Sequence, residues 1–142
     1  MAAPTGFERP RALVIACGAL GRELVALKKS TGWDALDITC LPAIWHNHPE
    51  KIAPGLRRKL QVVKGYEQVF VAYGDCGTGG EVDQVIEEFG VKRLAGPHCY
   101  QFFMGTEEFT ALTDEDPACF FLTDYLVRHF DRLIIKGLGL DR

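Results

Sequence analysis

Four side chains that commonly bind soft metals each follow a short apolar run of the sequence. They are Cys17, Cys76, His98 and Cys99. Thiolate and imidazole together are typical ligands of zinc and iron, and cysteines also hold iron–sulfur clusters. We therefore interpret the four residues as candidate ligands of one divalent metal, zinc or iron, with an iron–sulfur cluster as an alternative that stays open.

A glycine-rich loop surrounds one of these cysteines. Residues 74–80 (GDCGTGG) include four glycines, which can adopt positive φ and turn backbone N–H groups toward a ligand. The candidate cofactor-binding residues are Gly18, Tyr73, Gly74, Gly77 and Gly79. The loop contains no lysine and does not match G-x-x-x-x-G-K-[ST], so it is not a nucleotide P-loop. Nucleotide binding through a simple glycine-rich turn remains a weaker alternative.

A second loop carries two histidines, His46 and His48, within residues 43–49 (AIWHNHP). His46 is the candidate general acid or base, because an imidazole there could reach the same crevice as the cysteines. Asp75 and Tyr100 are polar residues of that region, and we expect them to orient a ligand or a histidine.

The remaining cysteines and histidine have less specific roles. Cys40 lies inside a predicted strand and Cys119 begins another, which favours a place in the hydrophobic core for both. His129 falls on a predicted helix, where a surface or packing role is expected.

Short β-rich runs alternate with helical patterns along the chain. The predicted strands are residues 11–16, 36–41, 68–73, 91–95 and 119–122, and the predicted helices are residues 19–29, 49–64, 82–89, 106–114 and 123–132. The first strand, RALVIA, shows no polar alternation, which indicates burial on both faces. The order predicts an α/β fold, with a three-layer parallel sheet and helices on both faces, Rossmann-like or flavodoxin-like. Ligands of such folds bind beyond the carboxyl ends of the strands, where the candidate residues lie.

Composition narrows the class of protein. We expect 142 residues to form a single domain over residues 1–142, with a flexible segment at residues 1–10. The net charge of −3 comes from intermixed acidic and basic residues, so no nucleic-acid partner is expected. No apolar run reaches the ~18 residues of a membrane span, and no secretory signal is evident, so we expect no membrane contact and a cytoplasmic location. Five cysteines, an odd number, argue against a simple disulfide framework.

The chain resembles a family known as domain of unknown function 1638. The resemblance is carried by residues 13–18 (LVIACG), by 41–42 with His46 and Pro49, by 73–79 (YGDCGTG), by 97–99 with Phe103 and Gly105, and by 122–123. It covers about residues 11–126. Members are often encoded near corrinoid-dependent methyl-transfer systems, so the resemblance implies a link to corrinoid or one-carbon metabolism and a corrinoid or methyltransferase partner protein. It also implies a C-terminus that is shortened relative to the family.

Three functions follow from these observations. The leading hypothesis is a metal-dependent protein of small-molecule metabolism, with Cys17, Cys76 and either Cys99 or His98 as ligands. A metal-free enzyme with a cysteine nucleophile is the first alternative. A non-catalytic accessory module for a cofactor-bearing partner is the second, with residues 133–140 as its exposed apolar patch. Whether any reaction is catalysed stays open.

Overall fold

A four-stranded parallel sheet forms the centre of the protein. The computed structural model describes residues 9–142, so the predicted flexible segment lies almost wholly outside the described residues. The strands are β1 (Ala12–Cys17), β2 (Leu36–Leu41), β3 (Gln68–Ala72) and β4 (Lys92–Arg93). Their order in the sheet is β2-β1-β3-β4, and all pairs are parallel. The chain moves from β1 outward to β2 on one side and then to β3 and β4 on the other, so the switch point of this flavodoxin-like order lies between β1 and β3.

Helices connect the strands and continue beyond the sheet. They are α1 (Gly21–Thr31), α2 (Ile52–Val62), α3 (Glu81–Phe89), α4 (Tyr100–Met104), α5 (Thr106–Glu115) and α6 (Asp124–Arg128). Short 3-10 turns lie at Gly18–Leu20, Ala43–Asn47 and Pro49–Lys51, and a π-helical segment covers Asp131–Lys136. Pro54 falls in the first turn of α2, where a helix does not need the missing N–H, so α2 is continuous.

The two faces of the sheet are covered unequally. Successive side chains of a strand point to opposite faces, so Leu13 and Ile15 of β1 pack against α2 and α3 in the larger core. Ala16 faces the other way, where Leu24 of α1 covers a smaller core. α1 contributes no fully buried residue. The predicted α/β fold with helices on both faces is confirmed.

Several predicted elements differ from the structure. β4 is limited to Lys92–Arg93, shorter than the predicted residues 91–95. Residues 119–122 form no strand and follow a turn in which the Asp116 carboxylate accepts a hydrogen bond from the Ala118 N–H. Cys40 is exposed rather than in the core, since β2 is an edge strand and this side chain points away from the main core. Within residues 9–142 no helix combines the length and apolar character needed to cross a membrane.

Candidate functional site

Three of the candidate ligands meet beyond the carboxyl ends of β3 and β4. One ligand atom from each of Cys76, His98 and Cys99 lies within 4.8 Å of the others. The Cys99 Sγ atom is 3.4 Å from Nδ1 of His98. A tetrahedral zinc ion with thiolate bonds of about 2.3 Å places its ligand atoms about 3.8 Å apart. The donor atoms therefore lie at, or about 1 Å beyond, the spacing that a single ion would require.

Backbone hydrogen bonds hold together the two loops that carry these donors. The Asp75 N–H donates to the Gly96 carbonyl over 3.2 Å, and the Cys76 N–H donates to the Pro97 carbonyl over 2.9 Å. Gly74 lies against the backbone of His98, and a Cβ atom at position 74 would be 2.9 Å from the His98 nitrogen. Real Cβ atoms do not approach backbone so closely, so only glycine allows the two loops to meet in this way.

The Asp75 carboxylate organises the loop around Cys76. It accepts hydrogen bonds from the Thr78 hydroxyl and from the N–H groups of Gly79 and Gly80, over 2.9, 3.2 and 2.7 Å. Desolvation raises the pKa of Asp75, but these hydrogen bonds outweigh it and the pKa is lowered overall. The loop that they fix holds Cys76 at φ +50°, a left-handed conformation that costs a residue with a side chain about 1 kcal/mol or more.

The pKa values of the two thiols in the site are shifted in opposite directions. The nearby thiol and backbone of Cys99 lower the pKa of Cys76, even though burial opposes them. The same contact, together with burial, raises the pKa of Cys99. Cys76 is therefore the first of the pair to become a thiolate, which is the form that binds metals and attacks electrophiles.

A group of three rings, from His46, His98 and Tyr100, flanks the thiols. The Tyr100 ring stacks on the His98 ring at 3.9 Å between centroids, and its hydroxyl lies 2.7 Å from Nε2 of His46. Burial and the neighbouring His46 lower the pKa of His98 to about 4, so His98 is a neutral imidazole at pH 7, the form that binds metals. Burial also lowers the pKa of His46, so this ring is uncharged as well and can accept a proton.

Cys17 lies next to this group but outside it. Cys17 and Tyr73 are both buried in the main core, and Cys76 packs against that core from outside. Burial raises the pKa of Cys17 more than the Ala19 N–H and the Tyr73 hydroxyl lower it, so Cys17 is a thiol. The Tyr73 hydroxyl is buried and makes no hydrogen bond of normal geometry to the described residues.

The other predicted site residues lie in the segments that follow β1, β2 and β3. Gly18, after β1, packs closely against Ala43, after β2. A Cβ at position 18 would lie 3.1 Å from the Ala43 Cβ, so glycine allows the two segments to approach each other. Gly77 and Gly79 adopt φ of +78° and +64° in the loop that holds Cys76. His48 turns away and lies 3.4 Å from the exposed Glu50 carboxylate.

The C-terminal segment supports the histidine side of the site, which the sequence analysis did not foresee. Leu126, Leu133 and Ile134 form a buried cluster against which Tyr100 and Ile44 pack. The Asn47 side chain, one residue after His46, donates to the Leu133 carbonyl. The apolar residues at 126, 133 and 134 were the available signal, but their spacing did not reveal which loop they cover.

The fold and the site define an all-parallel α/β protein with a cysteine and histidine cluster beyond the carboxyl ends of β3 and β4. A family model described as "Protein of unknown function (DUF1638)" matches residues 40–142, which is most of the chain. The chain therefore belongs to the DUF1638 family, as the resemblance predicted. The matched residues include the three clustered donors and His46 but not Cys17. None of the curated proteins compared matches the chain.

Proposed function

We propose that Cys76, His98 and Cys99 bind one divalent metal ion, zinc or iron. The observation that carries the proposal is the meeting of two thiols and one imidazole within 4.8 Å, from two loops joined by backbone hydrogen bonds. The lowered pKa of Cys76 and the neutral His98 provide the forms that bind metals. The strained φ of Cys76 supports a functional role, because such conformations cluster at functional sites.

The number of ligands favours a catalytic ion over a structural one. Three protein ligands leave one tetrahedral position for a water or a substrate, as in catalytic zinc sites. Cys17 would close that position only by moving toward Cys76, since it lies outside the group of three. Two cysteines are fewer than the four that usually hold an iron–sulfur cluster, which favours a single ion.

The neighbouring side chains supply the means to handle a proton. A bound ion would act as a Lewis acid toward a small-molecule substrate, such as a thiol, or toward water. His46 is neutral and half-buried, and its Nε2 faces the Tyr100 hydroxyl at 2.7 Å. Burial raises the pKa of Tyr100, so its hydroxyl keeps its proton at pH 7 and can donate a hydrogen bond to Nε2 of His46. His46 is then the candidate acid–base residue of this small-molecule site.

The decisive experiment is metal analysis of protein purified without oxygen. About one zinc or iron per chain is expected in the wild type and in Cys40→Ser, whose thiol is exposed and outside the site. Cys76→Ser and Cys99→Ser should lose the ion while keeping the circular dichroism of the folded protein. Protein that is folded but neither carries metal nor binds added zinc or cobalt would exclude the proposal.

A metal-free cysteine enzyme is the second candidate, favoured by the lowered pKa of Cys76 and by the His98 imidazole within 4.8 Å of its sulfur. It predicts that iodoacetamide alkylates Cys76 faster than the exposed Cys40, in protein that carries no metal. Peptide mass spectrometry after brief alkylation measures both rates. Equal or slower labelling of Cys76 in folded, metal-free protein would exclude this alternative.

A link to corrinoid-dependent methyl transfer is a further part of the proposal and rests on the family resemblance alone. It predicts that the protein changes the visible spectrum of hydroxocobalamin and that Cys76→Ser does not. An unchanged spectrum with the wild type would leave the metal site without a corrinoid role. Of the apolar patch at residues 133–140 that the accessory-module alternative requires, Leu133 and Ile134 are buried, whereas Leu138 and Leu140 are exposed.

A further inference from the structure

Two adjoining cavities lie beside the cysteine and histidine cluster. The first has a volume of about 420 Å³ and the second about 480 Å³, both within the range of small-molecule sites. Glu23 of α1 and Phe103 of α4 line both cavities, so the two cavities are neighbours on either side of these side chains. Tyr100 lines the first cavity and also contacts His98 and His46. The first cavity is therefore next to the proposed metal site.

The first cavity combines aromatic rings with negative charge. Its lining includes the rings of Tyr100, Phe103 and Phe121 and the carboxylates of Glu23 and Asp124. No lysine, arginine or histidine of residues 9–142 lines either cavity. Tyr100 stacks on Phe121 at 5.2 Å between centroids, which fixes both rings in the wall.

The Glu23 carboxylate has no partner in the described part of the chain. Its Oε2 atom is buried and accepts no hydrogen bond, and the carboxylate makes no ion pair with the described residues. Buried polar atoms are normally paired, so this oxygen indicates a donor or a cation that is supplied by a ligand. Aromatic faces and carboxylates together are the surroundings that bind organic ammonium ions.

The second cavity is apolar. Leu20, Leu24, Phe70 and Leu94 line it, on the sheet face that α1 covers incompletely. A ligand whose cationic head lies near Glu23 would find space there for an apolar body. An anionic ligand would be repelled by the two carboxylates of the first cavity.

We propose that these cavities bind a small organic ammonium ion with an apolar body. Its head lies between Glu23 and the aromatic wall, and its body extends along the second cavity. As the substrate site of a metal centre this inference rests on the proposed function, whereas binding of the cation does not require the metal.

The test compares two probes of the same shape and different charge. The first is [4-(hydroxymethyl)phenyl]trimethylammonium, and the second is 4-tert-butylbenzyl alcohol, in which carbon replaces the cationic nitrogen. Titrations followed by NMR on the full chain should give a Kd at least about tenfold lower for the cation. Equal affinity for the two probes, or no binding of the cation at up to about 10 mM, would overturn the proposal.

Variants locate the binding. Glu23→Gln should weaken the cation about tenfold, and Asp124→Asn about threefold, because each removes one carboxylate from the wall. Glu108→Gln removes an exposed carboxylate outside both cavities and should leave the affinity unchanged. If Glu23→Gln does not fold, Asp124→Asn provides the test. Unchanged affinity in both folded variants contradicts the proposal.

Metal-free Cys76→Ser separates this inference from the proposed function. Binding of the cation to that variant with wild-type affinity supports the cavity site even if metal analysis fails. Loss of cation binding in Glu23→Gln with retention of the metal shows that the cavity and the cluster are separate sites. A cavity proposal that fails leaves the metal analysis unaffected.

Discussion

The two halves of the candidate site are held in different ways. On the thiol side, the loops after β3 and β4 are joined by backbone hydrogen bonds from Asp75 and Cys76, and glycine at position 74 lets the backbones touch. On the histidine side, the 3-10 turn that carries His46 is held by side chains, through the Tyr100 hydroxyl and Asn47. The candidate ligands are thus fixed by backbone and the candidate acid–base group by side chains. A substitution that separates the two joined backbones should therefore cost more stability than the loss of one side-chain contact on the histidine side.

The largest effect is expected for Gly74→Ala. The new Cβ would lie 2.9 to 3.0 Å from three backbone atoms of His98, which cannot move without separating the loops. We expect a loss of about 3 kcal/mol in the free energy of unfolding, together with weaker metal binding. Urea denaturation of metal-free protein measures the first quantity. The control is Gly79→Ala, which has positive φ but open space around it and should cost about 1 kcal/mol. Equal losses would show that the loops are not in close contact.

Asp75→Asn should have the next largest effect, about 1 to 2 kcal/mol, because the amide cannot accept all three hydrogen bonds of the carboxylate. The pKa of Asp75 is lowered by folding, so its contribution is full above the unfolded value of about 3.9 and is lost as the pH falls through the folded value. The difference in stability between wild type and variant should therefore shrink below about pH 4. A difference that stays constant to pH 2 would contradict this. The exposed Asp114→Asn serves as control.

The strain at Cys76 predicts an unusual order of two variants. At most positions a variant with alanine is more stable than one with glycine. At φ +50° the glycine variant should have a free energy of unfolding about 1 kcal/mol higher than the alanine variant. Cys76→Gly should thus unfold at higher urea concentration than Cys76→Ala, and both should lack the metal. Cys40→Gly and Cys40→Ala, in a regular strand, should show the opposite order. The same order at both positions would mean that the loop relaxes around Cys76.

The smallest effect is expected on the histidine side. Tyr100→Phe removes the hydroxyl that faces His46 and should cost about 1 kcal/mol. The ring still stacks on His98, so the metal content should stay at about one ion per chain. Metal analysis and urea denaturation of the same sample give both values. A loss of metal in this variant as complete as in Cys76→Ser would abolish the distinction between the two halves.

The sequence supported the general fold better than the details of the site. The apolar runs before Cys17 and Cys76 predicted β1 and β3, and the parallel pairing of β3 with β4 brings Cys76 near His98 and Cys99. The exposure of Cys40 could not be predicted, because a run of strand residues does not reveal which strand is at the edge. The contact of Gly74 with His98 and the strain at Cys76 depend on how two distant loops meet. No local pattern contains that information.

The backbone connection between the two ligand loops also bears on the entropy of binding. In a small zinc finger the metal must order the chain, so binding and folding are one event. Here the sheet and the hydrogen bonds from Asp75 and Cys76 have already closed the loop of chain between the candidate ligands. An ion or an electrophile that reaches Cys76 therefore meets a preorganised site, and most of its interaction energy is available for affinity and for selection among ligands.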